Sequence, residues 1–186
     1  MADGGIMKAG QDRLTRPRLR LAAPKDADQL RELIRLSTQT LLARMLSAQQ
    51  VAESHRFMTL DTQLIEDRTY FVAAIGNRLA GCGGWSRRAT DYGGDTADRR
   101  DLRLLDPASE PARVRAMYTH PDLTRLGIGR MILESSEAAA RSEGFSQVLL
   151  FATVGGEPLY RACGYRELSR QLDGSVPIVR MIKDIA

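Results

Sequence analysis

The stretch "MYTHPDLTRLGIGRMILE", residues 117–134, places two glycines and two arginines where a strand pattern passes into a helix pattern. Gly127 and Gly129 keep side chains away from the backbone at the start of the helix, and Arg125 and Arg130 add positive charge. The free N–H groups and the positive dipole end of a helix N-terminus favour an anion. The stretch therefore predicts a site for a pyrophosphate. The alternative is a glycine turn that serves only close packing.

Two other glycine-rich phosphate motifs do not fit these residues. A dinucleotide-binding fingerprint would need a third glycine at position 132, where the chain has Ile132. A P-loop would need Gly-Lys-Ser/Thr, and the chain has Gly129-Arg130-Met131 instead. What remains is a strand, a tight turn and an uncapped helix start.

The elements that must position this turn follow from the apolar periodicity of the chain. The predicted strands cover 18–24, 69–75, 78–86, 112–120, 146–153, 165–168 and 176–183, with a turn at Gly76-Asn77. The predicted helices cover 26–46, 47–57, 127–143 and 157–164. The order of these elements predicts an α/β protein with a mixed sheet and helices on both faces.

Details of two helices can also be predicted. Asp26 with Gln29 resembles a capping box, and Gly144 is the expected stop of the helix over 127–143. The inner face of that helix is expected to consist of the following positions: Ile128, Met131, Ile132, Ser135 and Ala139.

Length and composition are those of one globular domain. The chain has 186 residues, of which 43% are hydrophobic and 27% charged. Its net charge is +4, and the first 20 residues carry five Lys or Arg against two Asp. We therefore expect a basic, flexible tail over 1–17 and a single domain over 18–186.

Several function classes are disfavoured by the same reading. There is no basic stripe with interleaved aromatic residues, so we expect no nucleic-acid partner. No apolar run is long enough for a membrane span, and the N-terminus lacks the apolar segment of a secretory signal. Cys82 and Cys163 are expected to be reduced core thiols of a cytoplasmic protein. His55 and His120 lie too far apart in sequence to indicate a metal site.

Two segments resemble those of a known family. "THPDLTRLGIGRMIL" resembles motif A of the GNAT superfamily of N-acetyltransferases, and "EPLYRACGYREL" resembles the segment that follows it in that family. The resemblance extends over roughly 18–184. It implies a mixed, mostly antiparallel sheet of six to seven strands with helices on both faces. It also implies direct transfer of an acetyl group from acetyl-CoA to a primary amine of a small molecule or peptide, without a metal.

The resemblance assigns roles to individual residues. Backbone groups would hold the pantetheine arm and polarise the thioester carbonyl at Met117, Tyr118 and Thr119. The pyrophosphate would bind at Arg125, Leu126, Gly127, Ile128, Gly129 and Arg130. Tyr160 would protonate the sulfur of the coenzyme; the alternative for Tyr160 is a half-buried packing role.

The sequence departs from the family pattern at two places. The first position of motif A falls on Thr124, with the arginine one place later at Arg125. The glutamate that many members carry near the start of the fourth strand corresponds here to Arg113. The general base therefore stays open. His120, Asp122 and Glu157 are candidates by their place in the sequence, and a chain of water molecules is another.

The resemblance places the acceptor site in the stretches 37–62 and 85–95 and in the loop that continues to residue 111. An aromatic wall and positive charges would come from Trp85, Arg87, Arg88 and Tyr92. The alternative is a solvated loop. A second hypothesis for the whole chain is a non-catalytic acyl-CoA-binding module used for sensing or assembly. The acceptor, the length of the acyl group and the oligomeric state stay open, with a homodimer among the alternatives.

Overall fold

The computed structural model describes residues 16–98 and 100–186, and its strands form one seven-stranded sheet in the order β1-β2-β3-β4-β5-β7-β6. The strands are β1 Arg18–Leu21, β2 Tyr70–Ile75, β3 Arg78–Ser86, β4 Ala112–Thr119, β5 Gln147–Thr153, β6 Arg166–Asp173 and β7 Val176–Asp184. The α-helices of the described residues are α1 Ala27–Leu41, α2 Ala48–Ser54, α3 Thr62–Glu66, α4 Ile128–Ser142 and α5 Glu157–Ala162.

The sheet is mixed and mostly antiparallel, which confirms the predicted fold class. Every neighbouring pair of strands is antiparallel except β4 with β5. That parallel pair is joined at only two positions, Ala112 with Val148 and Arg113 with Leu149. Beyond these positions β4 and β5 diverge, so the sheet is open along the C-terminal halves of both strands.

Helices cover both faces of the sheet, as the sequence predicts. On one face, α1 and α3 pack through Leu30 and Leu64 onto Tyr70 and Val72 of β2. The intervening residues of β2 point to the other face, where Ala73 meets α4. Burial of these two apolar layers fixes the sheet between the helices.

The buried face of α4 differs partly from the prediction. Ile128 and Ile132 are buried as expected, whereas Ser135 and Ala139 lie at the half-buried edge. The helix is buried instead through a row shifted by one position, at Leu133, Ser136, Glu137 and Ala140. The shift arises because α4 contacts both the centre of the sheet and β7, where Lys183 Nζ lies 2.6 Å from a Glu137 carboxylate oxygen.

The predicted capping box at Asp26 and Gln29 is wrong. The Asp26 carboxylate accepts a hydrogen bond from the Ala23 backbone N–H at 2.8 Å, and Arg20 donates to both of its oxygens. Asp26 therefore lies inside a 3₁₀ turn, Pro24–Asp26, that precedes α1. The Arg20 guanidinium holds the pKa of Asp26 below its ordinary value.

The basic tail over 1–17 falls almost entirely outside the described residues. The short helix α3 was not predicted, because five residues are too few to show a helical period. In the part of the chain that the structure describes, none of the helices combines the length and apolarity needed to cross a membrane.

Candidate functional site

The divergence of β4 from β5 begins at a bulge in β4. Ala116 has φ 54°, a left-handed conformation that side chains rarely adopt, and the register with β3 shifts between Cys82 and Gly84. Such a bulge bends its strand and increases the local twist. The Tyr70 hydroxyl donates a hydrogen bond to the Ala116 carbonyl at 3.0 Å. This bond gives a partner to the Ala116 carbonyl, which lies at the bulge where the regular pairing with β3 is interrupted. It also stabilises the bend of β4.

A cleft of about 690 Å³ opens where the strands diverge. Its walls include the end of β4, the turn before α4, the start of α5, part of α1 and the segment after α2. Of the residues that the resemblance assigned to the coenzyme, these line it: Met117, Tyr118, Thr119, Arg125, Gly127, Ile128, Gly129 and Arg130. Leu126 is not among the lining residues, and its side chain is 54% exposed.

The glycine turn at the start of α4 leaves backbone donors available. Gly127 is the N-terminal cap of α4 and has φ 76°, and no side chain caps the helix there. Arg125 also adopts a left-handed conformation, with φ 65°. A Cβ atom at Gly127 would meet nothing within 4 Å, so this glycine is required by its conformation. A Cβ atom at Gly129 would lie 2.9 Å from Leu159 Cδ2, so a side chain there would have to displace the end of Leu159.

Tyr160 lies in the wall of the cleft near this turn. It is 7% exposed, and its ring packs edge-on against Tyr165 with 5.8 Å between centroids. Its hydroxyl forms no hydrogen bond with any described residue. Burial raises the pKa of Tyr160 above its ordinary value of 10.0, so the phenol stays protonated at neutral pH. A protonated phenol in the wall of a cleft, with no hydrogen bond to the described residues, can donate a proton to a group bound there.

None of the three candidate bases lines the cleft. The His120 ring lies 3.2 Å from the Asp122 backbone N–H and 3.3 Å from the guanidinium of Arg78. Arg161 and Arg170 both donate to the Glu157 carboxylate, at 2.8 and 2.6 Å, and lower its pKa. Among the described residues that line the cleft there is no Asp, Glu, His or Lys.

Three of the four predicted acceptor residues lie away from the cleft. Trp85 is 2% exposed and packs against Phe145 in the core, because strand alternation turns its side chain toward α4. Arg87 donates to Glu143 at 2.8 Å. Arg88 donates to both carboxylate oxygens of Asp67, at 2.7 and 2.8 Å. The structure therefore does not bring these three predicted side chains to the cleft.

The fourth, Tyr92, does line the cleft, together with residues that were not named individually, of which Thr38 and Phe57 lie in the predicted stretch 37–62. Phe57 and Phe151 join Tyr92 there, and Thr38 lines the cleft with a buried hydroxyl that has no partner. A polar Thr38 on the buried side of a predicted helix is a signal that could have indicated a site. Phe57 and Phe151 gave no such signal, since an aromatic residue in an apolar pattern indicates a core position equally well.

Arg115 and Asp61 form a buried ion pair at the edge of the cleft, which sequence reasoning also missed. Arg115 NH2 lies 2.5 Å from an Asp61 oxygen and donates to the Gly93 carbonyl at 2.6 Å. Arg100 reaches the same carboxylate at 2.8 Å. Two guanidinium groups thus share the Asp61 carboxylate, and Asp95 also lies 3.3 Å from Arg100, so the charges of the cluster balance.

Comparison with known proteins adds to this geometry. The family model described as Acetyltransferase (GNAT) domain matches residues 66–167, which is more than half of the 186 residues. No curated protein matches the chain by sequence.

Solved structures share the fold at low sequence identity. A GCN5-related N-acetyltransferase from Rhodopseudomonas palustris is 17% identical, with a TM-score of 0.69 over 91% of this chain and 96% of that one. The PaiA N-acetyltransferase from Thermoplasma acidophilum, in complex with coenzyme A, is 16% identical, with a TM-score of 0.66 over 91% and 99% of the two chains. YncA from Salmonella typhimurium, with its cofactor acetyl-CoA, is 12% identical, with a TM-score of 0.61 over 91% and 94%. The match of the family model and the shared fold together place the chain in the GNAT family of N-acetyltransferases.

Proposed function

We propose that this N-acetyltransferase moves an acetyl group from acetyl-CoA directly to a primary amine of a small molecule or peptide. The observation that carries the proposal is the cleft between β4 and β5, which has an uncapped helix N-terminus at one place in its wall and the unpaired hydroxyl of Tyr160 at another. The helix N-terminus would bind the anionic pyrophosphate of the coenzyme, and the hydroxyl would protonate its sulfur.

The proposed donor site suits acetyl-CoA because it offers positive charge and free backbone N–H groups. The free N–H groups at the start of α4 would bind the pyrophosphate, and the guanidinium groups of Arg125 and Arg130 would add attraction. The bent segment over 117–119 would hold the pantetheine arm by its backbone groups. Acetyl-CoA supplies the thioester that the amine attacks. The coenzyme complexes of PaiA and YncA support this choice of donor.

Tyr160 would act as the acid of the reaction. When the carbon–nitrogen bond forms and the carbon–sulfur bond breaks, the departing sulfur takes up a proton. The Tyr160 hydroxyl holds one, and no described residue competes for it. The amine loses its proton to water, since no carboxylate or imidazole of the described residues lines the cleft.

Direct transfer fits better than an acetylated cysteine. Cys82 is fully buried, and burial raises its pKa to about 12, so its thiolate is scarce at neutral pH. Cys163 is half-buried and does not line the cleft, and burial raises its pKa as well. Neither thiol is placed to receive an acetyl group from a coenzyme in the cleft.

The test combines binding and turnover. Coenzyme A release is measured with acetyl-CoA and a broad panel of amines, after subtraction of thioester hydrolysis. We expect amine-dependent release in the wild type. Calorimetry should show no acetyl-CoA binding in Gly129→Glu, because the new side chain meets Leu159 and its carboxylate opposes the pyrophosphate. Normal affinity in that variant would refute the pyrophosphate site. Binding without release for any amine would point to the non-catalytic module instead.

A further inference from the structure

We propose that the acceptor of this enzyme is a monoamine on an aromatic or branched apolar body, and that the cleft selects it over polycationic amines. The proposal rests on the proposed acetyl transfer and names its substrate class. It starts from three half-buried rings in the cleft wall, those of Phe57, Tyr92 and Phe151, which we call the aromatic recess.

The three rings form one contiguous surface although they come from distant parts of the chain. The centroids of Phe57 and Tyr92 lie 5.7 Å apart in an edge-on arrangement, and those of Tyr92 and Phe151 lie 5.0 Å apart. Each ring therefore keeps part of its surface toward the cleft while its neighbours support it. Apolar surface left open in this way favours an apolar or aromatic ligand, because binding removes it from water.

The recess lies on the face of the sheet opposite to the glycine turn. Leu150 and Ala152 of β5 pack in the same cluster as Leu133 and Ala140 of α4. Phe151 lies between them in the strand, so its side chain points to the other face. A coenzyme bound at the start of α4 would thus reach the gap between β4 and β5 from one side. An acceptor in the recess would approach the same gap from the other.

The recess is held in place before any ligand binds. The Tyr92 hydroxyl donates a hydrogen bond to Asp173 at 3.0 Å, and the same Asp173 carboxylate lies 3.4 Å from Arg56. Gly93, the next residue, accepts from the buried Arg115. These bonds tie the segment of Tyr92 to β4 and β6, so little ordering of the wall remains to oppose binding.

The charges of the cleft act against polycations. All the cationic or anionic side chains among its described lining residues are arginines, namely Arg44, Arg115, Arg125 and Arg130. Arg125 and Arg130 would face the pyrophosphate of the bound coenzyme, so Arg44 and Arg115 are the cations left for the acceptor to meet. Asp61 pairs with Arg115 and Arg100, and Asp95 also lies 3.3 Å from Arg100, but neither carboxylate is among the described lining residues. A second ammonium group on the acceptor would find no carboxylate in the lining and would be repelled, which is how a site excludes competitors. An apolar acceptor body carries no second charge, so this repulsion does not act on it.

The first experiment compares acceptors at equal concentrations of free base. Initial rates of coenzyme A release are measured for 2-phenylethylamine, tryptamine and isoamylamine against spermidine and a lysine-rich peptide. We expect kcat/KM at least about tenfold higher for the apolar monoamines, the scale on which an apolar pocket discriminates. Equal or higher kcat/KM for spermidine or the peptide would overturn the proposal.

The second experiment uses a variant of the recess and a matched control. Phe151→Ala should lower kcat/KM for 2-phenylethylamine about tenfold or more and leave the affinity for acetyl-CoA unchanged. Phe71→Ala removes the same ring from a half-buried position in the core outside the cleft, so it should lower stability but keep the wild-type ratio between acceptors. An unchanged ratio in Phe151→Ala would refute the role of the recess.

A third measurement does not depend on turnover. In saturation-transfer NMR, the ring protons of 2-phenylethylamine should receive saturation from the wild type and from Phe71→Ala, but much less from Phe151→Ala. If acetyl-CoA fails to bind, the proposed function fails, and this measurement still decides whether the recess binds an aromatic amine. Equal saturation in all three proteins would overturn the recess as the binding site.

Discussion

At the scale of single residues, the proposed chemistry depends on a hydroxyl kept neutral by its surroundings. Tyr160 is buried, and its hydroxyl lacks a hydrogen-bond partner among the described residues. Burial raises its pKa, so the hydroxyl keeps its proton at neutral pH. A packing role and an acid role both require burial. They differ in whether removal of the oxygen changes the rate, and this can be measured.

Tyr160→Phe should lower kcat while it leaves acetyl-CoA affinity nearly unchanged. Loss of a general acid typically lowers the rate about 10²–10⁴-fold, and the effect is smaller where the leaving group is as good as a thiolate. Steady-state kinetics and calorimetry on the same variant measure the two quantities. Wild-type turnover would assign Tyr160 to core packing.

The pH dependence should reflect the acceptor and not a base of the enzyme. Because no Asp, Glu or His of the described residues lines the cleft, kcat/KM should rise with pH until the amine itself is deprotonated. Burial raises the pKa of Tyr160 above 10.0, so the acid form persists as the pH rises and no fall is expected below pH 10.0. Profiles for two amines of different pKa check this: a shared midpoint would reveal a base on the enzyme.

At the scale of elements, the cleft exists because β4 bends at its bulge. Ala116 sits in a left-handed conformation, and Tyr70 holds its carbonyl across the strand pair. A non-glycine residue in such a conformation carries strain of roughly 1–3 kcal/mol. The strand therefore stores strain at the place where the proposed thioester would lie.

Two substitutions distinguish the effect of the bulge on stability from the effect of its hydrogen bond. Tyr70→Phe leaves the Ala116 carbonyl without its donor and should lower the free energy of unfolding by about 1–3 kcal/mol. Ala116→Gly relieves the left-handed strain and should leave stability equal or higher by up to about 1 kcal/mol. Urea unfolding of both variants measures this. A clear loss of stability in Ala116→Gly would contradict a strained bulge.

The connection between β3 and β4 is more ordered than its composition indicates. Arg88 pairs with Leu104 in an isolated β-bridge, and its guanidinium donates a hydrogen bond to Asp67. The polar residues of this segment thus form ion pairs with the body of the protein. Among the described residues of this connection, Tyr92 and Gly93 line the cleft.

At the scale of the whole molecule, a buried charge cluster joins separate segments of the chain. Asp61 comes just before α3, Arg100 from the connection and Arg115 from β4, and they meet beside the cleft. We propose that residues 18–186 behave as one cooperative domain, because every strand joins one sheet and this cluster ties the connection to it.

Asp61→Asn should destabilise the whole domain. It leaves the buried guanidinium of Arg115 without its counter-charge, and breaking a buried pair in this way typically lowers stability by about 3–5 kcal/mol. Asp28→Asn is the matched control, since the side chain of Asp28 is 98% exposed and pairs with Arg31 at the surface. Its effect should stay within about 1 kcal/mol. Equal effects in thermal unfolding would contradict the role of the Asp61 cluster.

The sequence by itself determined most of the elements and the glycine turn at which we propose that the donor binds. Alternating and helical apolar periods are local properties, so the hairpin at Gly76, the helix start at Gly127 and its stop at Gly144 could be read directly, and all three have left-handed backbones in the structure. The glycines of the phosphate turn are likewise local, because a turn and a helix N-terminus are built from neighbouring residues.

The surface that we propose for the acceptor was decided only by the tertiary structure. Trp85 and Tyr92 look equally suited to a wall in sequence, yet strand alternation buries Trp85 toward α4 while Tyr92 reaches the cleft. Phe57 and Phe151 are 94 positions apart in the chain and meet the same ring of Tyr92. Which side chains share a surface depends on which strands diverge and which helices cover them. That packing is a property of the whole fold, and no local pattern records it.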